Sequence, residues 1–73
     1  MAQYKFIAQL QSTGAQLFSF THFYDEEVLT KSELREQQIE EGQYALAKAY
    51  RILSSRNLPI VGTSIVVRIQ RVS

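Results

Sequence analysis

Apolar and polar positions alternate with a period of two in three separate stretches of this chain. In residues 3–10 the even positions form one face, which comprises Tyr4, Phe6, Ala8 and Leu10. Residues 16–24, QLFSFTHFY, alternate in the same way and carry four aromatic side chains and no formal charge. Residues 63–72 repeat the pattern, with Ile65, Val67 and Ile69 on one face. This period is typical of half-buried β-strands, so the pattern predicts three strands.

The first two strands are predicted to form a hairpin. Residues 11–15, QSTGA, supply turn-forming side chains between two β-prone segments, and Gly14 is free to adopt a positive φ.

Residues 30–58 follow a helical period instead. Thr30 and Glu33 have the spacing of a capping box, in which each side chain accepts from the other residue's backbone N–H. We expect the helix to end near Arg56, because Asn57 favours a left-handed closing turn and Pro59 cannot continue a helix. Residues 59–62, PIVG, are then a loop or the approach to the third strand.

One side of this helix is predicted to face the core. At about 100° per residue, an apolar arc contains Leu34, Ile39, Ala45, Leu46, Ala49, Tyr50, Ile52 and Leu53. The opposite, solvent-facing arc contains Glu33, Glu36, Gln37, Glu40, Tyr44, Lys48 and Arg51. Gly42 lies within the apolar arc, where it is either a tolerated loss of helix propensity or a point at which the backbone approaches an aromatic ring of the sheet.

These elements predict an α+β fold with the order β-β-α-β. The third strand is expected beside the first, giving a three-stranded antiparallel sheet of order 2-1-3 with the helix on one face. The predicted core comprises Tyr4, Phe6, Ala8, Leu10, Phe18, Phe20, Ile65, Val67 and Ile69 from the strands and Ile39, Leu46, Ala49 and Leu53 from the helix.

Length and composition narrow the class of protein. A chain of 73 residues predicts a single domain, residues 1–73, with a marginal core. It contains no cysteine, which excludes disulfides and thiolate metal sites, and its first residues lack the pattern of a secretory signal. No stretch approaches the ~20 apolar residues of a membrane span, so we expect a soluble, cytoplasmic protein without membrane association.

The charges are separated along the chain. Residues 1–43 hold three basic and seven acidic side chains, whereas residues 44–73 hold five basic and no acidic ones. Acidic residues early in a helix and basic residues late in it complement the helix dipole, which explains part of the separation. The remainder predicts a dipolar surface that favours a charged partner or a second copy of the chain.

The sequence shows no spacing of His, Asp or Glu residues that is typical of a catalytic site. The single histidine, His22, lies among aromatic residues on a strand, which is more typical of a packed histidine than of a general base. The pairs Glu26–Glu27 and Glu40–Glu41 are adjacent, so on a helix their carboxylates point about 100° apart and form no dyad. We therefore expect a protein that is not an enzyme, with no catalytic residues, metal ligands or cofactor.

Nucleic-acid binding is the alternative function. The sheet face away from the helix would present Lys5, Phe23 and Arg68, a mixture of cations and an aromatic ring that suits base stacking. The full candidate set for this alternative is Lys5, Phe23, Arg51, Arg56, Arg68 and Arg71. The sequence pI of about 8.1 is modest for such a protein, and the acidic cluster at residues 25–27 would repel phosphate.

A small protein-binding module, an assembly adaptor or regulator, is the function that the sequence favours. The second strand lacks the charges and prolines that usually protect a sheet edge, and apolar side chains are left over on the open sheet face. The candidate partner-binding residues are Ile7, Leu17, Ser19, Thr21, Phe23, Val66 and Arg68. We expect a protein partner or a homodimer formed through residues 16–24. The sequence alone identifies neither the partner nor the biological process.

Overall fold

The alternating segments form the strands that the pattern predicts, and the helical segment forms one long helix. The computed structural model describes residues 1–56 and 64–73. Its elements are β1 (Ala2–Leu10), β2 (Gln16–Tyr24), α1 (Lys31–Ser55) and β3 (Ile65–Arg71). The strands form one antiparallel sheet of order β2-β1-β3, and α1 packs on one face. The predicted β-β-α-β fold and strand order are confirmed.

The register places the apolar residues of the three strands in shared rows. Phe6 of β1 lies between Phe20 of β2 and Ile69 of β3, and Ala8 lies between Phe18 and Val67. The rings of Phe6 and Phe20 stack with centroids 5.0 Å apart and nearly parallel planes. Phe6 and Ala8 are fully buried because the central strand is covered by a neighbour on each side and by α1 above.

The β1–β2 hairpin contains the predicted glycine turn and an unpredicted bulge. Gly14 has φ +75°, and its N–H donates to the Leu10 carbonyl at 2.8 Å. The register shifts between Ala8 and Gln9, so Leu17 is an extra residue on β2. Such a bulge re-aims a side chain, and Leu17 packs against the core cluster around Ala8. The prediction that Leu17 faces outward with Ser19 is therefore wrong.

The capping box at the start of α1 is confirmed. The Thr30 hydroxyl accepts from the Glu33 N–H, and the Glu33 carboxylate accepts from the Thr30 N–H, both at 3.2 Å. At the other end Arg56 is the C-cap, and its N–H donates to the Ile52 carbonyl at 3.1 Å. The predicted roles of Asn57 and of residues 59–63 fall outside the described residues.

The buried face of α1 is a narrower part of the predicted apolar arc. Ala45, Ala49 and Leu53 are buried, whereas Ile39 is 52 % exposed and Leu46 is only half-buried. Small side chains let the helix approach the large aromatic rings of the sheet closely, so Ala45 and Ala49 occupy the centre of the contact. Of the predicted helix core, Ala49 and Leu53 are therefore confirmed, whereas Ile39 and Leu46 are not fully buried.

Three further positions differ from the predicted core. Ile69 is 45 % exposed, because β3 is an edge strand with a neighbour on one side only. Tyr24 and Ala2, which were not assigned to the core, are buried opposite each other at one end of the sheet. Strand alternation identified the correct face at Ile69 and Tyr24 but not the depth of burial, and Ala2 lies before the predicted first strand.

The structure distinguishes between the two interpretations of Gly42. A Cβ added at this glycine would meet no atom of the described residues within 4 Å, apart from the neighbouring helix backbone. The predicted close approach to an aromatic ring is therefore absent from that part of the chain. Gly42 is a tolerated loss of helix propensity.

Candidate functional site

The outer edge of β2 is the principal candidate. Hydrogen bonds of an antiparallel strand alternate between its two sides. On the β3 side, the Val72 N–H donates to the Gln3 carbonyl at 2.8 Å, and the Gln11 N–H donates to the Ser64 carbonyl at 3.0 Å. The odd-numbered residues of β1 therefore face β3, and its even-numbered residues face β2.

This alternation determines which backbone groups of β2 point away from the sheet. The partners of the even-numbered β1 residues are Phe18, Phe20, His22 and Tyr24, which consequently hydrogen-bond to β1. Ser19, Thr21 and Phe23 direct their N–H and C=O groups outward. No strand of residues 1–56 and 64–73 lies beyond β2, so these backbone groups form an edge open to a further strand.

The composition of β2 leaves this edge weakly protected. Its nine residues contain no charge and no proline, whereas the opposite edge, β3, carries Arg68 and Arg71. The bulge at Leu17 is one of the features that blunt sheet edges, but it affects only the hairpin end of the strand. Residues 18–24 continue in regular register toward the other end.

The segment that follows β2 turns away from this edge. Residues 25–29 form a single turn in which the Asp25 carbonyl accepts from the N–H groups of Val28 and Leu29 at 3.2 and 3.1 Å. The carboxylate of Glu26 lies 2.9 Å from the Arg71 guanidinium, and Arg71 is on β3, beyond β1. The segment therefore crosses the end of the sheet and does not fold back over the outer side of β2.

The open sheet face brings together most of the predicted partner-binding residues. Ile7 lies between Ser19 and Arg68 in one row, and Lys5 lies between Thr21 and Gln70 in the next. Phe23 and Val66, 58 % and 37 % exposed, occupy opposite ends of the same face. Leu17 is the one predicted member that packs toward the core instead.

The residues of the nucleic-acid alternative are divided between the two faces. Lys5, Phe23 and Arg68 lie on the open face, whereas Arg51 and Arg56 belong to α1 and its C-cap on the other side of the sheet. Arg71 also lies on the helix side, 5.9 Å from the centre of the Tyr4 ring and paired with Glu26. The structure does not bring the six residues into one surface.

Tyr44 of α1 extends the candidate site onto the helix. Its ring contacts Phe18 and Phe20 edge-on, with centroid distances of 6.2 and 5.6 Å, yet its side chain remains 49 % exposed. The prediction that Tyr44 faces solvent away from the sheet is therefore wrong. The sequence analysis placed Ala45 and Ala49 within the apolar arc but not at its centre, and a contact centred on these two alanines places Tyr44 above one sheet edge.

A shallow hollow lies on the same flank of α1. It has a volume of about 310 Å³ and is lined by Tyr44, Ala47, Lys48 and Arg51. The Lys48 ammonium is 5.8 Å from the centre of the Tyr44 ring. Two cations beside an aromatic ring make this hollow suitable for an acidic group.

The opposite end of the sheet contains a buried tyrosine hydroxyl. Tyr24 is 2 % exposed, and its hydroxyl makes no hydrogen bond within the described residues. Its ring lies beside those of Tyr4 and His22, with centroid distances of 5.6 and 4.6 Å. Burial raises the pKa of Tyr24 to about 12, and the nearby charge of Glu41 adds to this effect. The hydroxyl therefore stays protonated at neutral pH.

Metal sites, membrane-spanning helices and similarity to known proteins give no functional assignment. Within residues 1–56 and 64–73, no group of three or more His, Cys, Asp or Glu side chains is placed to hold a metal ion. No helix in those residues is long and apolar enough to cross a membrane. No family model, curated protein or solved structure matches this chain.

Proposed function

We propose that this protein is a small non-enzymatic protein-binding module, an assembly adaptor or regulator that associates by adding a strand to the outer edge of β2. The open backbone row of Ser19, Thr21 and Phe23 is the observation that carries this proposal. An added strand satisfies such a row with main-chain hydrogen bonds, and alternate side chains then contribute specificity. The same segment, if left bare, has the aromatic, uncharged composition of an aggregation-prone strand.

A second copy of the chain is the simplest partner for this edge. Two β2 strands related by a twofold axis pair antiparallel and join the two sheets into one of six strands. An axis perpendicular to the sheet leaves both helices on the same face. The lack of cysteine is compatible with a reducing, cytoplasmic location for such an assembly.

A pair of matched substitutions tests the edge. Thr21 and Gln70 are both exposed and flank Lys5 in the same row, but Thr21 lies on β2 and Gln70 on β3. Thr21→Lys and Gln70→Lys therefore add the same charge beside the same lysine at opposite edges. Because lysine at an edge opposes strand addition, we expect Thr21→Lys to weaken self-association and Gln70→Lys to leave it close to wild type.

Sedimentation velocity over a concentration series measures both variants. Equal weakening of the two would show that general charge, and not the β2 edge, controls association. A wild-type protein that stays monomeric at high micromolar concentration, with slow amide exchange at Ser19, Thr21 and Phe23, would overturn self-pairing through this strand.

A further inference from the structure

The flank of α1 above the β2 edge carries charges of opposite sign on either side of Tyr44. Helical periodicity places Glu33, Gln37 and Glu40 on this flank before Tyr44, and Lys48 and Arg51 after it. Glu33, Glu40 and Arg51 are exposed, and Lys48 is half-buried beside the Tyr44 ring. Along a single flank, an acidic half therefore precedes a basic half.

We infer that this flank is the second part of a self-association interface, in which α1 of a second copy lies antiparallel to it. The inference rests on the proposed pairing of β2 strands, which brings two helices to the same face. A twofold axis perpendicular to the sheet reverses the direction of the second helix. The acidic half of each helix then faces the basic half of the other.

The position of Tyr44 determines where the axis must pass. The sign of the charge changes at Tyr44, and its ring packs over Phe18 and Phe20 of the edge strand. A twofold axis just outside the β2 edge, level with these two phenylalanines, therefore satisfies the strand pairing and the helix charges together. It also brings the two exposed Tyr44 rings toward each other and places Glu40 of one copy opposite Lys48 of the other.

The hollow on this flank also favours a second copy of the chain as the partner. Its lining by Lys48 and Arg51 suits the carboxylate of Glu40 from a second copy. A uniformly acidic partner would be repelled by Glu33 and Glu40, and a uniformly basic partner by Lys48 and Arg51. A surface with both signs in reversed order matches the flank, and twofold symmetry supplies that surface from the chain itself.

Charge exchange provides a direct test. The variants are Lys48→Glu, Glu40→Lys and the double variant that carries both changes. Positions 40 and 48 are eight residues apart on α1, too far to pair within one helix, so any rescue must operate between copies. Arg35→Glu is the control, because it makes the same change in net charge as Lys48→Glu at an exposed position about 180° around α1 from Tyr44 by helical periodicity.

Sedimentation equilibrium gives the dissociation constant of each variant, with circular dichroism to establish folding. We expect about a 3–10-fold weakening for each single variant, in line with a partly exposed charge pair turned repulsive, and recovery to within about twofold in the double variant. The dissociation constant of the wild type should rise with salt concentration.

Two results would overturn the inference. If the double variant is as weak as the two single changes combined, the helices do not face each other in this way, although pairing through β2 can still hold in the Thr21→Lys test. If Arg35→Glu weakens association as much as Lys48→Glu, net charge is responsible and not this flank. A monomeric wild type would refute strand pairing and this inference together.

Discussion

The same glycine-to-alanine substitution should raise the stability of this protein at one described glycine and lower it at the other. Gly42 is in the middle of α1, and an added Cβ would meet nothing within 4 Å in the described part of the chain. Gly42→Ala should therefore recover the difference in helix propensity, about 1 kcal/mol of unfolding free energy. For a domain of this size, that corresponds to a melting temperature about 4–8 °C higher.

Gly14→Ala is the matched control with the opposite sign. This position is equally free of neighbouring atoms, but its φ of +75° lies in the left-handed region. An alanine there is disfavoured by about 1–2 kcal/mol, partly offset by the lower entropy of the unfolded chain, so we expect a net loss of about 1 kcal/mol. Because a Cβ would meet no neighbour among the described residues at either glycine, a difference between the two variants reports backbone conformation and not steric fit.

Urea denaturation followed by circular dichroism measures both variants. Neither glycine lies on the outer edge of β2. At one fixed protein concentration, association therefore contributes equally to the unfolding free energies of the wild type and both variants, and it cancels in their differences. A loss of stability in Gly42→Ala would refute the reasoning, because it would show that the helix backbone needs to approach another group at this point.

Three further predictions follow from the packing and the caps. Leu53→Ala, at a buried position, should cost about 2–5 kcal/mol in denaturant unfolding, whereas Ile39→Ala, at a half-exposed one, should cost less than about 1 kcal/mol; equal losses would place the wrong side of α1 against the sheet. Thr30→Ala should cost about 1 kcal/mol by removing the capping hydroxyl, and Thr30→Ser should restore most of it. Because the folded-state pKa of Tyr24 is raised, its contribution to stability is present below pH 10 and is lost as the pH rises toward 12. Unfolding measured at pH 9 and pH 11.5 should show a smaller alkaline loss in Tyr24→Phe than in wild type, and an identical loss would contradict the burial of that hydroxyl.

Part of the candidate site could be predicted from the sequence. The uncharged, aromatic segment 16–24 and the strand order together identified an unprotected edge, and alternation placed Ser19, Thr21 and Phe23 on the open face. Leu17 was assigned to the wrong face because one bulged residue reverses the alternation, and nothing in the local composition marks that residue. Tyr44 was assigned to solvent because it lies beside, and not within, the apolar arc.

The sequence by itself determined the local elements of this protein. The capping box fixed the start of α1, the period of two fixed the strands, and Gly14 fixed the hairpin turn, because each depends on residues close together in the chain. Only the tertiary structure decided which part of the apolar arc is buried, since that depends on the fit of Ala45 and Ala49 against rings from a different element. It also decided that the turn after β2 reaches toward Arg71, so that no strand of the described residues covers the outer edge of β2. Contacts between distant segments depend on packing shape, and the hydrophobic period specifies a face without specifying that shape.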